Sequence, residues 1–473
     1  MFKRKFLLPL FTAFLMIPAI VQAAEHAAEG DAAHGTSRAV IVLAFVALIV
    51  VLAKIAGSVA EKFKQVSVLG ELMLGVLLGI PVLFGIHFFD AFKTDELVLL
   101  FSEFAVILLL FQTGLESDLH KMSKVGIPAF LVAIVGVVCP FLLGMYLVGP
   151  WLMPGLSQNA YLFLGATLTA TSVGITARVF KDLKMLQAKS SQIVLGAAVI
   201  DDVLGLLILA VVAAIVTAGH VSGGEVVWIA SKAILFLGLS IAIGRIFAPY
   251  LGKVLSGVHA GIGMKMAMAL LFCLGYAYLS TLVGLAPIVG AFAAGLLLDP
   301  VHFKRFRSPR LVREIEEAMT ECTQDDVKTC VNKAVEEHRH RHVEDLVEGV
   351  AQWVVPVFFV ITGLQVNLAV LGNVDVLLVA LGLTVAAIIG KLVAGFAAGK
   401  GVDWKTVGVG MIPRGEVGLI FANVGKALGV VNDEAFAAIV IMIIITTIFT
   451  PVVLPMVAKM NKKPEEVQPA SAS

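Results

Sequence analysis

The chain has 473 residues, of which 59% are apolar and 15% charged, whereas soluble domains carry about a quarter charged residues; a soluble globular protein is excluded. Its formal net charge is +1, which offers neither a basic excess for nucleic acid nor an acidic excess for a solvating tail. Charge therefore matters by position.

Residues 1–23 read as a signal peptide. Lys3, Arg4 and Lys5 precede an apolar stretch from Phe6 to Ile20, and Val21-Gln22-Ala23 places small residues where a signal peptidase reads. The polar residues 24–37, with His26 and His34, are then expected outside the membrane as a tail. A spanning helix needs about 20 mostly apolar residues. Such segments recur about thirteen times between 38 and 460, centred near Ala47, Gly75, Val106, Ile134, Ala170, Leu204, Phe236, Leu271, Ala293, Phe358, Ala386, Leu419 and Ile443. The expected fold is an all-α polytopic membrane domain, with residues 461–473 as a cytoplasmic tail.

Orientation follows from the Lys/Arg content of short loops. With the N-terminus outside, Lys62, Lys121 to Lys124, Arg178 to Lys189, Arg245 to Lys265, Lys400 to Lys405 and Lys459 to Lys463 all fall inside, while 151–160, 219–225 and 429–434 contain no Lys or Arg. Thirteen spans divide into six, one linker and six. The two halves then have opposite orientation, the inverted-repeat plan of many transporters. In each half the fifth span is unusual: Thr167, Thr169, Thr171, Ser172 and Gly174 in one, Gly408, Gly410, Pro413, Arg414, Gly415, Glu416 and Gly418 in the other. Hydroxyls and Gly/Pro weaken a helical ladder, which is tolerable at membrane depth only where the freed groups line a cavity. Two discontinuous helices crossing near the midplane are expected, with Pro413, Arg414 and Glu416 stabilising the second.

Residues 301–349 form a charged insert on the cytoplasmic side, dense in both signs (Arg313 to Glu317, Glu336-Glu-His338), and read as solvated helices. The four cysteines, Cys139, Cys273, Cys322 and Cys330, are too scattered for a disulfide framework or a zinc cage. The spacing of Cys322 and Cys330 fits no common metal site; a redox or metal switch made with the alternation His338-Arg-His340-Arg-His342 is the alternative to a solvated charged helix, which needs no ligand.

The chemistry lies in the sixth span. Asp201 and Asp202 interrupt an otherwise apolar run from Ile193 to Leu209, where each carboxylate costs ~2.5–3.5 kcal/mol on insertion scales. Desolvation and mutual repulsion make it costly to keep both charged and bare, which suits a site that holds either protons or a hard cation ligated by oxygens. Neighbours on a helix point about 100° apart, so the two carboxylates face different partners. Lys391, mid-span in Ala386 to Gly395, is the candidate partner, against the alternative that it snorkels to an interface. Thr169, Thr171 and Ser172 are expected to line the cation site through hydroxyls or freed carbonyls, the alternative being helix packing.

These motifs resemble the monovalent cation:proton antiporter superfamily, in particular its Kef- and Nap-like bacterial branch, from Ser37 to Lys459. They are Gln112-Thr-Gly-Leu-Glu116, Thr169 to Arg178, Asp201-Asp202, Phe358-Phe-Val-Ile-Thr-Gly363, Lys391 and Pro413-Arg-Gly-Glu416. The resemblance implies a homodimer in the bacterial inner membrane. Its scaffold helices would lie at about 38–117 and 264–368, and its mobile core helices at about 125–217 and 374–459. It also implies Asp202 as the main ion-binding carboxylate, Asp201 paired with Lys391, and electrogenic Na⁺/H⁺ exchange. Na⁺, K⁺ or Li⁺ and H⁺ are the expected partners, with no cofactor, no metal beyond the transported monovalent cation and no enzymatic activity. Two departures stand out: no nucleotide-binding domain follows the last span, so nucleotide gating within the chain is not expected, and the 301–349 insert is long for the family. A Kef-type K⁺/H⁺ antiporter, a cation channel and a sodium-coupled solute carrier remain alternatives. An intramembrane aspartyl protease is disfavoured, because adjacent carboxylates on one helix diverge.

Overall fold

The computed structural model of the chain describes residues 38–460 except 64, 85–88, 117–125, 187, 219–222, 299–305, 307–314 and 316–324. The expected signal peptide and tails, Cys322 and the first half of the insert apart from Phe306 and Ile315 thus lie outside the described residues. Among the described residues the regular structure is helical: α1 Arg38–Lys62, α2 Ser67–Gly79, α3 Glu96–Glu116, α4 Gly126–Leu142, α5 Gln158–Thr167, α6 Val173–Asp182, α7 Lys189–Ala218, α8 Gly223–Val258, α9 Ile262–Leu282, α10 Pro287–Leu297, α11 Asp325–Leu364, α12 Val374–Gly395, α13 Trp404–Gly410, α14 Glu416–Ala427 and α15 Asp433–Met460. Nine helices among the described residues are long and apolar enough to cross a membrane, and two shorter apolar helices, Ser67–Leu83 and Pro287–Leu297, join them. With α5/α6 and α13/α14 as two interrupted spans, these account for the thirteen segments expected from sequence.

Local chemistry sets several helix starts. Ser157 Oγ accepts from Ala160 N at 3.2 Å to open α5, and Asn373 Oδ1 accepts from Asp375 N at 2.9 Å to open α12. Asp403 accepts from Lys405 N and Thr406 N to open α13. Each supplies an acceptor for a helix N–H that has no carbonyl of its own. Pro287 stands at the start of α10, where its missing N–H costs nothing. The latter part of the charged segment is not a separate element. Helix α11 runs unbroken from Asp325 through Gly349 into the tenth span, since one Gly costs a helix only about 1 kcal/mol.

The chain forms two compact units. One comprises residues 1–99, 120–220 and 359–473, the other 100–119 and 221–358. In the first unit α2 packs on α1, and a Cβ at Gly75 of α2 would collide with the Val360 carbonyl, while one at Gly363 would collide with that of Leu72. In the second unit α10 packs on α9, and Gly114 of α3 and Gly295 of α10 stand in the same relation, against the carbonyls of Phe292 and Phe111. Small residues let membrane helices approach to backbone contact where no hydrophobic force between them exists. The same glycine contact is thus built twice, α2 to α11 and α10 to α3. Thr113-Gly114-Leu115 and Thr362-Gly363-Leu364 close the third span of each half, a short internal repeat that supports the inverted plan.

Candidate cation and proton site

The candidate site lies within the first unit, on α4 to α7 and α12 to α15. Asp201 and Asp202 stand in the middle of α7, and α4 packs against both α7 and α12. Gly390 of α12 abuts Pro140 of α4, where a Cβ would come within 2.8 Å of the proline backbone. One helical turn earlier on α4, Gly136 leaves room for the Lys391 side chain, whose Nζ would be 3.3 Å from a Cβ there. Lys391 Nζ reaches Asp201 at 3.1 Å to Oδ2 and 3.3 Å to Oδ1, and neither side chain has exposed surface. Lys391 does not snorkel; its ammonium is spent on a charge-assisted contact inside the protein. Asp202 is buried but keeps 7% exposure against 0% for Asp201, so the two carboxylates differ in access as their positions around the helix require.

The two breaks hold one another. Helix α5 ends at Thr167 and α6 begins at Val173; α13 ends at Gly410 and α14 begins at Glu416. Each ended half-helix leaves carbonyls without intrahelical partners, and donors from the opposite break supply them. Thr171 Oγ1 donates to Met411 O at 3.0 Å, Thr176 Oγ1 to Gly410 O at 2.7 Å, and Ser172 N to Pro413 O at 2.8 Å. In the other direction Arg414 Nη1 donates to Ala170 O at 2.8 Å and Thr169 O at 3.4 Å. A Cβ at Gly415 would fall 2.8 Å from Ser172 Oγ, so only glycine allows the breaks this close. Irregular backbone inside a membrane protein survives where its polar groups are satisfied within the protein, and these cross-break bonds supply such partners.

The sequence-predicted residues therefore come together, with distinct tasks. Thr169 Oγ1 donates to Ala166 O at 2.8 Å and serves its own half-helix, while Thr171 and Ser172 serve the opposite break. Arg414 lies in the second break, as does Pro413, yet its guanidinium stabilises carbonyls of the first. Glu416 occupies the first turn of α14, where a carboxylate complements the positive end of the helix. Sequence reasoning passed over three contributors: Thr176, Gly136 and Thr447, whose Oγ1 donates to Arg414 O at 2.6 Å. The Thr446-Thr447 pair in an apolar run was the available signal for the last; nothing local marked Gly136.

With all four groups ionised, Asp201, Asp202, Lys391 and Arg414 sum to no net charge. A monovalent cation arriving beside Asp202 would leave one uncompensated positive charge in a site where isolated charge is expensive. Loss of one proton restores balance. The arrangement is therefore suited to competition between a cation and a proton: a proton lost from Lys391 would leave a neutral amine beside the Asp201 carboxylate.

Comparison with known proteins gives the same family. The family model for the transmembrane sodium/hydrogen exchanger matches residues 47–460. The high-affinity Na⁺/H⁺ antiporter NhaS3 of Synechocystis sp. is 34% identical, over 92% of this chain and 95% of its own. The Na⁺/H⁺-K⁺ antiporter GerN of Bacillus cereus is 34% identical, over 86% and 94%. The solved structure of the sodium proton antiporter MjNhaP1 from Methanocaldococcus jannaschii at pH 8 superposes with a TM-score of 0.60 at 16% identity, covering 88% of this chain and 97% of that one; it shares the fold. On motifs, architecture and relatives together, this chain belongs to the transmembrane sodium/hydrogen exchanger family.

Proposed function

We propose that the protein is a secondary active antiporter that exchanges Na⁺ for H⁺ by alternating access at Asp202, with Asp201 and Lys391 as a coupled proton-carrying pair. One observation carries this reading. A fully buried ammonium–carboxylate pair sits next to a second, slightly accessible carboxylate on the same helix. If Asp202 and the pair each give up a proton as the cation enters, two protons cross for each cation and transport is electrogenic. The core helices at about 125–217 and 374–459 would move against scaffold helices at about 38–117 and 264–368, in a homodimer. The Lys/Arg distribution supports insertion in a bacterial inner membrane with the N-terminus periplasmic and the C-terminus cytoplasmic.

The test is dequenching of a pH dye in proteoliposomes under imposed Na⁺, Li⁺ and K⁺ gradients in turn. Na⁺ and Li⁺ are expected to drive proton movement, and absence of any cation-driven signal would overturn the proposal. K⁺ is included because GerN is named as a Na⁺/H⁺-K⁺ antiporter; a K⁺ response equal to that of Na⁺ would replace the selectivity assigned here while leaving the exchange reaction.

Thr171→Ala tests the cross-break contact. Removing a hydroxyl that donates to the Met411 carbonyl forfeits a bond of about 1 kcal/mol. Apparent Na⁺ affinity in the dye assay is expected to fall about five-fold, because the break backbone beside the carboxylates loses a tie. Unchanged affinity would reduce Thr171 to a packing residue.

A further inference from the structure

Thr446 and Thr447 interrupt the apolar face of α15 as Asp201 and Asp202 interrupt α7. The two pairs occupy equivalent places in the two halves. Each lies in the helix that follows a break, and their distances from the breaks agree once the two extra residues of α14, 12 residues against 10 in α6, are allowed for. The counterpart of Asp202 is Thr447. Both threonines are buried, at 0% and 3% exposure, but they act differently. Thr446 Oγ1 donates to Met442 O at 2.9 Å within its own helix. Thr447 Oγ1 donates outward at 2.6 Å to the Arg414 carbonyl, in the second break.

That bond bears on the cation site through Arg414. The guanidinium is fully buried and, among the described residues, tethered by Nη1 alone, to Ala170 O and Thr169 O, while Nε and Nη2 have no hydrogen-bond partner there. A planar fork held at one corner does not fix its own position. Its backbone must do so, and the tie on the Arg414 carbonyl is the Thr447 hydroxyl. We infer that Thr447 is a positioning residue for cation binding: it anchors the Arg414 backbone, so that Arg414 holds the Thr169 and Ala170 carbonyls of the first break in register with Asp201 and Asp202. The inference rests on the proposed exchange at Asp202.

The test compares Thr447→Val, Thr447→Ser and Thr446→Val in proteoliposomes, with Asp202→Asn alongside. Thr447→Val keeps the shape and removes the donor. It is expected to raise the apparent KM for Na⁺ about five-fold, for loss of one buried hydrogen bond of about 1 kcal/mol, and to change the Na⁺/Li⁺ ratio of KM values, with maximal rate within two-fold of wild type. Thr447→Ser, which restores the donor, should return KM to the wild-type value, and Thr446→Val should leave it unchanged. The inference is overturned if Thr447→Val has the wild-type KM and ion ratio, or if Thr447→Ser shifts them as much as Val does, since packing would then be the cause. Should the valine variant fail to fold, Thr447→Cys, a poor donor of similar size, replaces it under the same criteria. Wild-type exchange in Asp202→Asn would instead defeat the exchange site itself, whatever Thr447 does.

Discussion

Asp202→Asn is expected to abolish Na⁺-driven proton movement in proteoliposomes while leaving expression, size-exclusion elution and thermal stability at or above wild type. An amide keeps the shape of the side chain but can neither bind and release a proton nor offer a full negative charge to a hard cation. A mid-membrane carboxylate costs ~2.5–3.5 kcal/mol on insertion scales, so its removal should not unfold the protein. Activity and stability are thus predicted to move in opposite directions, which separates a transport residue from a structural one. Exchange at more than a few per cent of the wild-type rate in a folded Asp202→Asn protein would sink the assignment.

Lys391→Ala should have the second-largest effect, and of a different kind. It leaves Asp201 buried beside α4 without the ammonium 3.1 Å away, and breaking a buried pair on one side costs roughly 3–5 kcal/mol. Thermal stability should therefore fall clearly. Replacing both partners, as in Asp201→Asn with Lys391→Ala, should restore much of it, because no uncompensated charge remains. On a Na⁺ jump at a solid-supported membrane, wild type should give a transient current, since a net charge crossing the membrane responds to potential by about 2.3 kcal/mol per 100 mV. The current should fall sharply in Lys391→Ala, while dye-detected exchange at Asp202 survives in weakened, electroneutral form. If the wild-type protein shows exchange without current and without response to an imposed potential, the electrogenic reading fails even though the Asp202 site stands.

Several features of both the fold and the site were legible in the sequence for local reasons. Apolar length marks spans, so thirteen segments could be counted before any contact was known. Hydroxyl-rich Thr169 to Ser172 and the Gly/Pro-rich stretch around Pro413 cannot sustain a helical ladder, so the breaks at 168–172 and 411–415 fall where composition put them. A charged residue in an apolar run identifies itself by its cost, which is why Asp201, Asp202 and Lys391 stood out.

What the sequence by itself determined is this one-dimensional pattern: how many spans, which two are interrupted, and which residues are too expensive to be there without a task. Which groups meet was decided only by tertiary packing. Lys391 lies 190 residues from Asp201 in the chain, and their contact depends on Gly136 and Gly390 letting α4 and α12 close to backbone distance. Arg414, expected to support its own broken helix, instead caps carbonyls 244 and 245 residues away, because its planar fork can satisfy an orphaned carbonyl wherever two breaks cross. Thr176 and Thr447 carry no cost that would announce them; a buried hydroxyl with a helix carbonyl in reach looks the same in sequence whether it serves its own helix, as Thr446 does, or the neighbouring break. The partner of such a side chain is fixed by where another element's unsatisfied carbonyl lies, and that is a property of the assembled helices alone.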